Sequence, residues 1–197
     1  ATGQSIAGGL MKPKLLQDIR RDDQPHWFAQ EWFIPIAIET AVDGDSIEEF
    51  CTEISRLVHE LPGTLAASVT RPDGMATHDA SRVELLIEHL RYGVVAVNAW
   101  SALAYAVANI PWGGFPGGTI EDPQSGIGHV HNPQFLPLVH NSILRAPLRV
   151  WPTPPWFPWH RKGEQLARGV TGMYAAIAEG KGGLWNLVGM LPDVFRS

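Results

Sequence analysis

The apolar residues in the middle of the chain change their spacing several times, and each change marks a new secondary-structure element. Short runs of apolar and β-branched residues near 36–42, 64–70 and 94–98 have the pattern of β-strands. Between these runs, at residues 46–61 and 81–90, apolar residues recur every three or four positions, as on one face of a helix. This alternation predicts an α/β fold, in which a mainly parallel sheet carries helices on both faces.

The first predicted helix carries a signal at each end. Ser46 can cap its amino terminus, with Glu49 three residues on as the second member of a capping box, and Pro62 ends it. Its apolar face consists of Ile47, Phe50, Cys51, Ile54, Leu57, Val58 and Leu61. The second helix turns Val83, Leu86, Ile87 and Leu90 inward. The strand that follows has the continuous apolar run typical of a strand buried on both faces.

The ends of the chain show simpler patterns. Residues 14–18 favour a short strand, and residues 141–150 (NSILRAPLRV) predict a strand that Pro147 confines to the edge of a sheet. Prolines and tryptophans then alternate over residues 151–159, which predicts an extended arm. A helix is predicted from about residue 162 to residue 178, followed by a short apolar tail.

Composition and charge narrow the classes of function. Among the 197 residues, 45 % are hydrophobic and 18 % charged, which is a globular composition, and the net charge of −5 argues against a nucleic-acid partner. Residues 92–120 lack charged side chains, but asparagines, prolines and glycines interrupt them, so no membrane span is expected. A single cysteine excludes an internal disulfide and favours a reducing compartment, so the expected location is cytoplasmic.

The residue types that most often carry chemistry receive structural interpretations. Cys51 lies in the middle of a predicted apolar helix face, where a thiol is usually buried and inert. His129 and His131 would share one face of a strand and could chelate a metal with His140. Their local sequence is typical of a loop, however, and no acidic residue or cysteine completes a ligand set, so no metal site is predicted. The glycines at 117–118 and 126–128 are interpreted as turns.

Several motifs follow one another in a recognisable order. They are EWFIP at residues 31–35, LAASV at 65–69, YGVVAVN at 92–98, PWGG at 111–114 and SGIG at 125–128. Over residues 12–150 the chain thereby resembles the C-terminal part of the catalytic domain in the aldehyde dehydrogenase superfamily. The corresponding family motifs are Glu-x-Phe-Gly-Pro, Val-x-Val-Asn, Pro-Phe-Gly-Gly and Ser-Gly-x-Gly. The chain departs from this pattern at several residues: Ile34 replaces a glycine, Trp112 replaces a phenylalanine, and His129-Val130 replaces the Arg-Glu that follows Ser-Gly-x-Gly.

This resemblance implies a dinucleotide-dependent oxidoreductase. Glu31 would accept hydrogen bonds from the nicotinamide ribose of NAD or NADP, and Phe33 would pack on the nicotinamide ring. Trp100 and Trp112 would line the site of the aldehyde substrate. In this family the nucleophilic cysteine lies well upstream of the first motif, and none of the thirty residues before Glu31 is a cysteine. The chain is therefore expected to be a fragment that lacks both the catalytic cysteine and the dinucleotide-binding domain, with no catalytic residue of its own and inactive in isolation.

The resemblance also implies an organisation and a set of partners. Residues 1–140 would form the C-terminal half of the catalytic domain, 141–160 an oligomerisation strand with the Pro/Trp arm, and 161–197 a C-terminal helical extension. The expected partners are an aldehyde, the rest of the parent chain or a neighbouring subunit, and further copies in a homo-oligomer. Two alternatives stay open: a non-enzymatic protein-interaction module that binds through the Pro/Trp arm, and a small metalloenzyme that uses His129, His131 and His140.

Overall fold

The central strand of the molecule, Val94–Val97, is buried on both faces. The structure is a computed structural model that describes residues 12–154, 157, 160–181, 188, 189 and 192. The chain divides into two units, Ala1–Leu148 and Arg149–Ser197. The first contains β1 (Lys14–Leu16), a 3-10 helix (Pro25–Phe28), β2 (Ile36–Ile38), α1 (Ile47–His59), β3 (Ala66–Val69), α2 (Thr77–His89), β4 (Val94–Val97), α3 (Leu103–Ala106), β5 (Trp112–Gly113), β6 (His129–Val130) and β7 (Ser142–Arg145), and the second contains α4 (Gly163–Ala178).

The main sheet has three parallel strands in the order β3, β4, β7. Val94 is in register with Ala66 on one side and with Ser142 on the other. All four residues of β4 are buried, as the uninterrupted apolar run predicted for a central strand. The predicted α/β class, with helices and mainly parallel strands, is confirmed.

The strand predicted near residues 36–42 forms but does not join this sheet. Ile36–Ile38 pairs in parallel with Lys14–Leu16, and these two strands make a separate sheet. The place beside β4 is taken by β7, which lies at the edge of the three-stranded sheet, as its proline predicted. The spacing of apolar residues defines a strand but not its neighbour, because each of these strands presents a similar alternating surface to any partner.

The two long helices of the first unit, α1 and α2, differ in how closely the sequence predicted their starts. Ser46 Oγ accepts a hydrogen bond of 3.2 Å from Glu49 N, so α1 begins at the predicted residue. The Glu49 carboxylate accepts from Asp45 N at 2.9 Å, one residue earlier than a capping box requires. The second helix begins at Thr77, four residues before Ser81, because the Ser81 hydroxyl donates to Thr77 O within the helix instead of capping it.

The hydrophobic core lies between these helices and one face of the sheet. Val95 and Val97 of β4 pack there, together with Cys51 of α1 and Val83 and Ile87 of α2. Tyr92 packs against this core, and its hydroxyl donates to Val58 O at 3.4 Å. Burial raises the pKa of Tyr92 because the charged phenolate would lose its hydration.

The second unit contains the predicted C-terminal helix. It spans Gly163–Ala178, buries Leu166, and carries an ion pair between Glu164 and Arg168 on its exposed side. Of the Pro/Trp arm, Trp151 is described and exposed, whereas Trp156 and Trp159 lie outside the described residues. In the described part of the chain, no helix has both the length and the apolar content needed to cross a membrane.

Candidate functional site

The segment that carries Glu31 and Phe33 runs from the 3-10 helix to β2. Both side chains are exposed, Phe33 to 89 %, whereas Trp32 between them is half-buried. Trp32 Nε1 donates to Trp27 O at 3.0 Å, and the two indole rings lie 5.0 Å apart. Trp32 is therefore fixed by its contacts with Trp27, while its neighbours on both sides stay exposed to solvent.

The isoleucine that stands in place of the family glycine is accommodated without backbone strain. Ile34 N donates to Trp32 O at 2.8 Å, and Ile36 N donates to Ile34 O at 2.7 Å. These two short bonds span two residues each and fix the path of the chain into β2. Ile34 does not adopt a positive φ, so a side chain at this position is compatible with its backbone conformation.

The chemical groups of this segment fit a nucleoside with a flat base. Within the described residues, the Glu31 carboxylate takes part in no hydrogen bond or ion pair, so its oxygens can accept from two vicinal hydroxyls. The Phe33 ring offers an apolar face of the kind that stacks on aromatic heterocycles. The two residues therefore fit the ribose and the base of a nucleotide cofactor.

Trp112 belongs to an aromatic cluster of its own. Its ring meets the edge of Tyr105 at 5.5 Å, and the Tyr105 ring lies 4.8 Å from His131. Trp112 lies on β5, which pairs antiparallel with β6, so that Gly113 faces His129. Tyr105 was not singled out in the sequence, since a lone tyrosine within a small-residue run has no distinctive spacing.

The glycines beside Trp112 are explained by close backbone contacts. A Cβ atom on Gly93 would collide with Gly113 O, and a Cβ atom on Gly113 would collide with Gly128 O. Gly93 directly precedes β4, so these contacts place Trp112 at the amino end of that strand. Trp100 follows the carboxyl end of β4 and is 57 % exposed. The structure thus groups Trp112 with Tyr105 rather than with Trp100.

The two neighbouring histidines differ from their predicted environment. His129 forms the short strand β6 rather than a loop, because the backbone of β5 pairs with it. His129 Nε2 and His131 Nδ1 are both buried, and neither has a hydrogen-bond partner among the residues that the structure describes. His140 packs its ring against Phe115, 6.1 Å away. Over the described residues, no three or more histidine, cysteine or acidic side chains group together as metal ligands would.

Cys51 occupies the buried position predicted for it. It lies in the fifth position of α1 and contacts the core rather than the exposed Glu31–Phe33 segment. Burial raises the pKa of the Cys51 thiol, which lowers the fraction of reactive thiolate at neutral pH. The thiol therefore has neither the access nor the ionisation of a nucleophile.

A second group of polar side chains was missed by the sequence analysis. Arg71, Asn98 and Arg145 follow or end three neighbouring parallel strands and line a common cleft. The carboxyl ends of parallel strands meet at one edge of a sheet, which is a frequent site of ligand binding in α/β proteins. That rule would have found these residues, had β7 been recognised as the partner of β4.

The chain was compared with models of protein families, with curated proteins and with solved structures, and none of them matches it.

Proposed function

We propose that this chain is part of an NAD(P)-dependent oxidoreductase that converts an aldehyde to an acid, with Glu31 and Phe33 as its contacts to the cofactor. One observation carries the proposal: Trp32 is half-buried and hydrogen-bonded to Trp27, whereas the two flanking side chains of the motif, Glu31 and Phe33, are exposed. A carboxylate with no partner among the described residues, beside an exposed aromatic ring, suits a ribose joined to nicotinamide. The α/β fold with its parallel sheet agrees with the resemblance of the motifs.

The chemistry divides between this chain and another polypeptide segment. A thiolate adds to the aldehyde carbon to form a thiohemiacetal, whose carbon then loses hydride, and water releases the acid from the resulting thioester. When bound, the dinucleotide accepts that hydride. This chain holds the ribose through Glu31 and the ring through Phe33, and Trp100 contributes aromatic surface for the aldehyde, whereas Trp112 lies at the opposite end of β4. The thiol comes from the other segment, because Cys51 is buried with a raised pKa.

An exposed edge supports the homo-oligomer that accompanies this function. β7 is bonded to β4 on one side only among the described strands. Ser142 N and Ala146 N donate toward β4, so by the alternation of the ladder Arg145 N points away from it. Sedimentation of Arg145→Pro, compared with Arg145→Gln, isolates the contribution of this N–H. Weaker association in the proline variant alone is the expected result, and equal association of both variants contradicts it.

The alternative function is a non-enzymatic module that binds another protein. Three apolar side chains of the first unit favour it, since Ile120, Phe135 and Leu138 are 88 %, 86 % and 85 % exposed. If these side chains form one contiguous patch, that patch is the surface that another polypeptide would cover. The two functions differ in whether the chain binds a dinucleotide, which can be measured directly.

The test is a titration of the chain with NADH, followed by energy transfer from tryptophan to the reduced nicotinamide. Trp32 lies between the two proposed contacts and serves as the donor. Glu31→Gln is expected to weaken binding about tenfold or more, since a hydrogen bond to a charged group contributes about 1.5–3 kcal/mol. Phe33→Ala is expected to weaken it as well.

The matched controls are an equally exposed phenylalanine and an exposed glutamate elsewhere in the same unit. Phe135→Ala removes a ring that is 86 % exposed, against 89 % for Phe33, and Glu121→Gln removes one negative charge. Both should bind NADH like the unmodified chain. Equal loss of energy transfer in the controls and in Glu31→Gln and Phe33→Ala would reject the proposal and favour the interaction module.

A further inference from the structure

The carboxyl ends of β3, β4 and β7 form a cleft at one edge of the main sheet. Val69, Val97 and Arg145 are in register across the three strands, so the residues that follow them begin at the same level. The cleft has a volume of about 230 Å³, and its lining includes Arg71, Asp73, Met75, Asn98 and Arg145. Pockets for drug-sized ligands occupy roughly 300–1,000 Å³, so a cleft of this volume suits a smaller molecule.

Glu84 of α2 forms ion pairs with both arginines of the cleft. Its Oε1 accepts from Arg71 Nη1 at 2.7 Å and from Arg145 Nη1 at 3.1 Å, and its Oε2 accepts from Arg145 Nη2 at 2.7 Å. Two guanidinium groups thus share one carboxylate, which leaves one positive charge uncompensated within the trio. Each guanidinium carries five N–H donors, so most of them remain for a ligand. Because Glu84 holds the arginines in place, a ligand need not order them on binding.

Asn98 adds a neutral donor between the two arginines. Its backbone has a φ of 56°, a conformation that asparagine tolerates better than most residues. Its Oδ1 accepts from Arg71 N at 2.9 Å, which leaves the amide nitrogen as the donating end of the side chain. Within the described residues, no group accepts a hydrogen bond from that nitrogen.

Asp73 places a negative charge in the same cleft. It follows Arg71 by two residues, its side chain is exposed, and it makes no ion pair with any described residue. The lining therefore offers both signs of charge: two guanidinium groups that Glu84 holds in place, and one carboxylate exposed to solvent. A molecule that carries one anionic and one cationic group complements this arrangement better than a simple anion does.

We propose that this cleft binds a small molecule with a carboxylate and an amino group. The carboxylate lies against the guanidinium groups of Arg71 and Arg145 and accepts from the Asn98 amide, and the amino group faces Asp73. Forked guanidinium donors match the two oxygens of a carboxylate. The inference is independent of the NAD(P) site, since none of its residues belongs to the Glu31–Phe33 segment.

The test uses three probes with the same carbon chain: 4-aminobutyrate, butyrate and butylamine, at equal ionic strength. Binding is followed through the side-chain ¹⁵Nε signals of the arginines and through the rise in Tm. The expected order of affinity is 4-aminobutyrate, then butyrate, with no binding of butylamine. Arg145→Gln should weaken butyrate binding about tenfold to a hundredfold, the effect of losing a charged hydrogen bond. Asp73→Asn should make 4-aminobutyrate and butyrate equal.

Two further variants separate loss of the site from loss of the fold. Arg91→Gln removes an exposed arginine beyond the far end of α2, and it should bind all three probes like the unmodified chain. Met75→Trp fills the cleft but keeps both arginines and Glu84, so it should lose binding even where Arg145→Gln is too unstable to measure. Equal responses to butyrate and butylamine, or butyrate binding that survives Met75→Trp, would overturn the proposal.

Discussion

The two ends of β4 are surrounded by different kinds of residue. At the amino end the contacts join backbone groups, since Gly93 N and Phe115 N both donate to Thr64 O. Gly93, Pro111 and Gly114 are buried there. At the carboxyl end, Arg145 and the partly exposed Arg71 surround a cleft instead. Gly93 and Gly113 leave no room for an added Cβ atom, whereas the cleft at the carboxyl end is lined by charged side chains with hydrogen-bonding capacity. The two ends of the strand therefore differ in whether backbone packing or charged side chains surround them.

The strongest test of this difference adds one methyl group at the amino end of β4. In Gly93→Ala the new Cβ would collide with the backbone at Gly113, which cannot rotate away as a side chain could. We expect the free energy of unfolding to fall by about 3 kcal/mol, the upper range for overpacking. Urea unfolding of the purified variant measures this loss.

Gly74→Ala serves as the matched substitution. Gly74 has a φ of 75°, but a Cβ atom added there would have no neighbour within 4 Å, so only backbone strain of about 1 kcal/mol is expected. If Gly93→Ala costs no more than Gly74→Ala, the amino end is not closely packed and the comparison fails.

A smaller effect is expected at the carboxyl end. Glu84→Gln preserves the shape of the side chain but removes the charge that holds the two arginines. Because all three side chains are about one third to one half exposed, the loss of stability should be about 1 kcal/mol and should shrink in high salt. Glu53→Gln, which loses one exposed pair with Arg56, should cost less. A loss from Glu84→Gln as large as that from Gly93→Ala would show that the cleft residues serve mainly the fold.

The smallest effect is a dependence of stability on alkaline pH. The pKa values of Cys51 and Tyr92 are both raised by burial, so the folded state binds protons that the unfolded chain releases earlier. The stability that these groups contribute is complete below their unfolded pKa values, about 8.5 and 10, and is lost as the pH rises through the folded ones. The urea midpoint should therefore fall from about pH 8.5 upward.

Tyrosine variants identify the part of this pH dependence that comes from Tyr92. Tyr92→Phe should remove the decline above about pH 10. Tyr105→Phe changes an exposed tyrosine of the aromatic cluster and should leave the decline in place. A midpoint that does not change between about pH 8 and about pH 11 in the unmodified chain would contradict the assignment.

The sequence predicted the elements of the first unit better than their arrangement. The periodicity of α1, its Ser46 cap and the apolar run of β4 depend on neighbouring residues, and all three were confirmed. The pairing of β2 with β1 and of β7 with β4 depends on contacts between distant residues, for which a single sequence carries no signal. The start of α2 was wrong by four residues because Ser81 bonds back to its own helix.

The candidate sites also differ in whether they depend on neighbouring or on distant residues. The structure shows the side chains of Glu31 and Phe33 exposed to solvent, which the sequence analysis did not predict. Their role as cofactor contacts stays a prediction, as do the aldehyde contacts of Trp100 and Trp112. The carboxyl-edge cleft could not be predicted, because Arg71 and Arg145 are distant in the sequence and are brought together only by the strand order.

The hydrogen bond from Trp32 to Trp27 has a consequence for the kinetics of folding. It closes a loop of only five residues, so the entropy lost on closure is small compared with that of pairing β4 with β7. Contacts this local form on the timescale of short-loop closure, well before a parallel sheet can assemble. The chain that presents Glu31 and Phe33 can therefore adopt its path early, and substitutions that weaken the main sheet should leave that path unchanged.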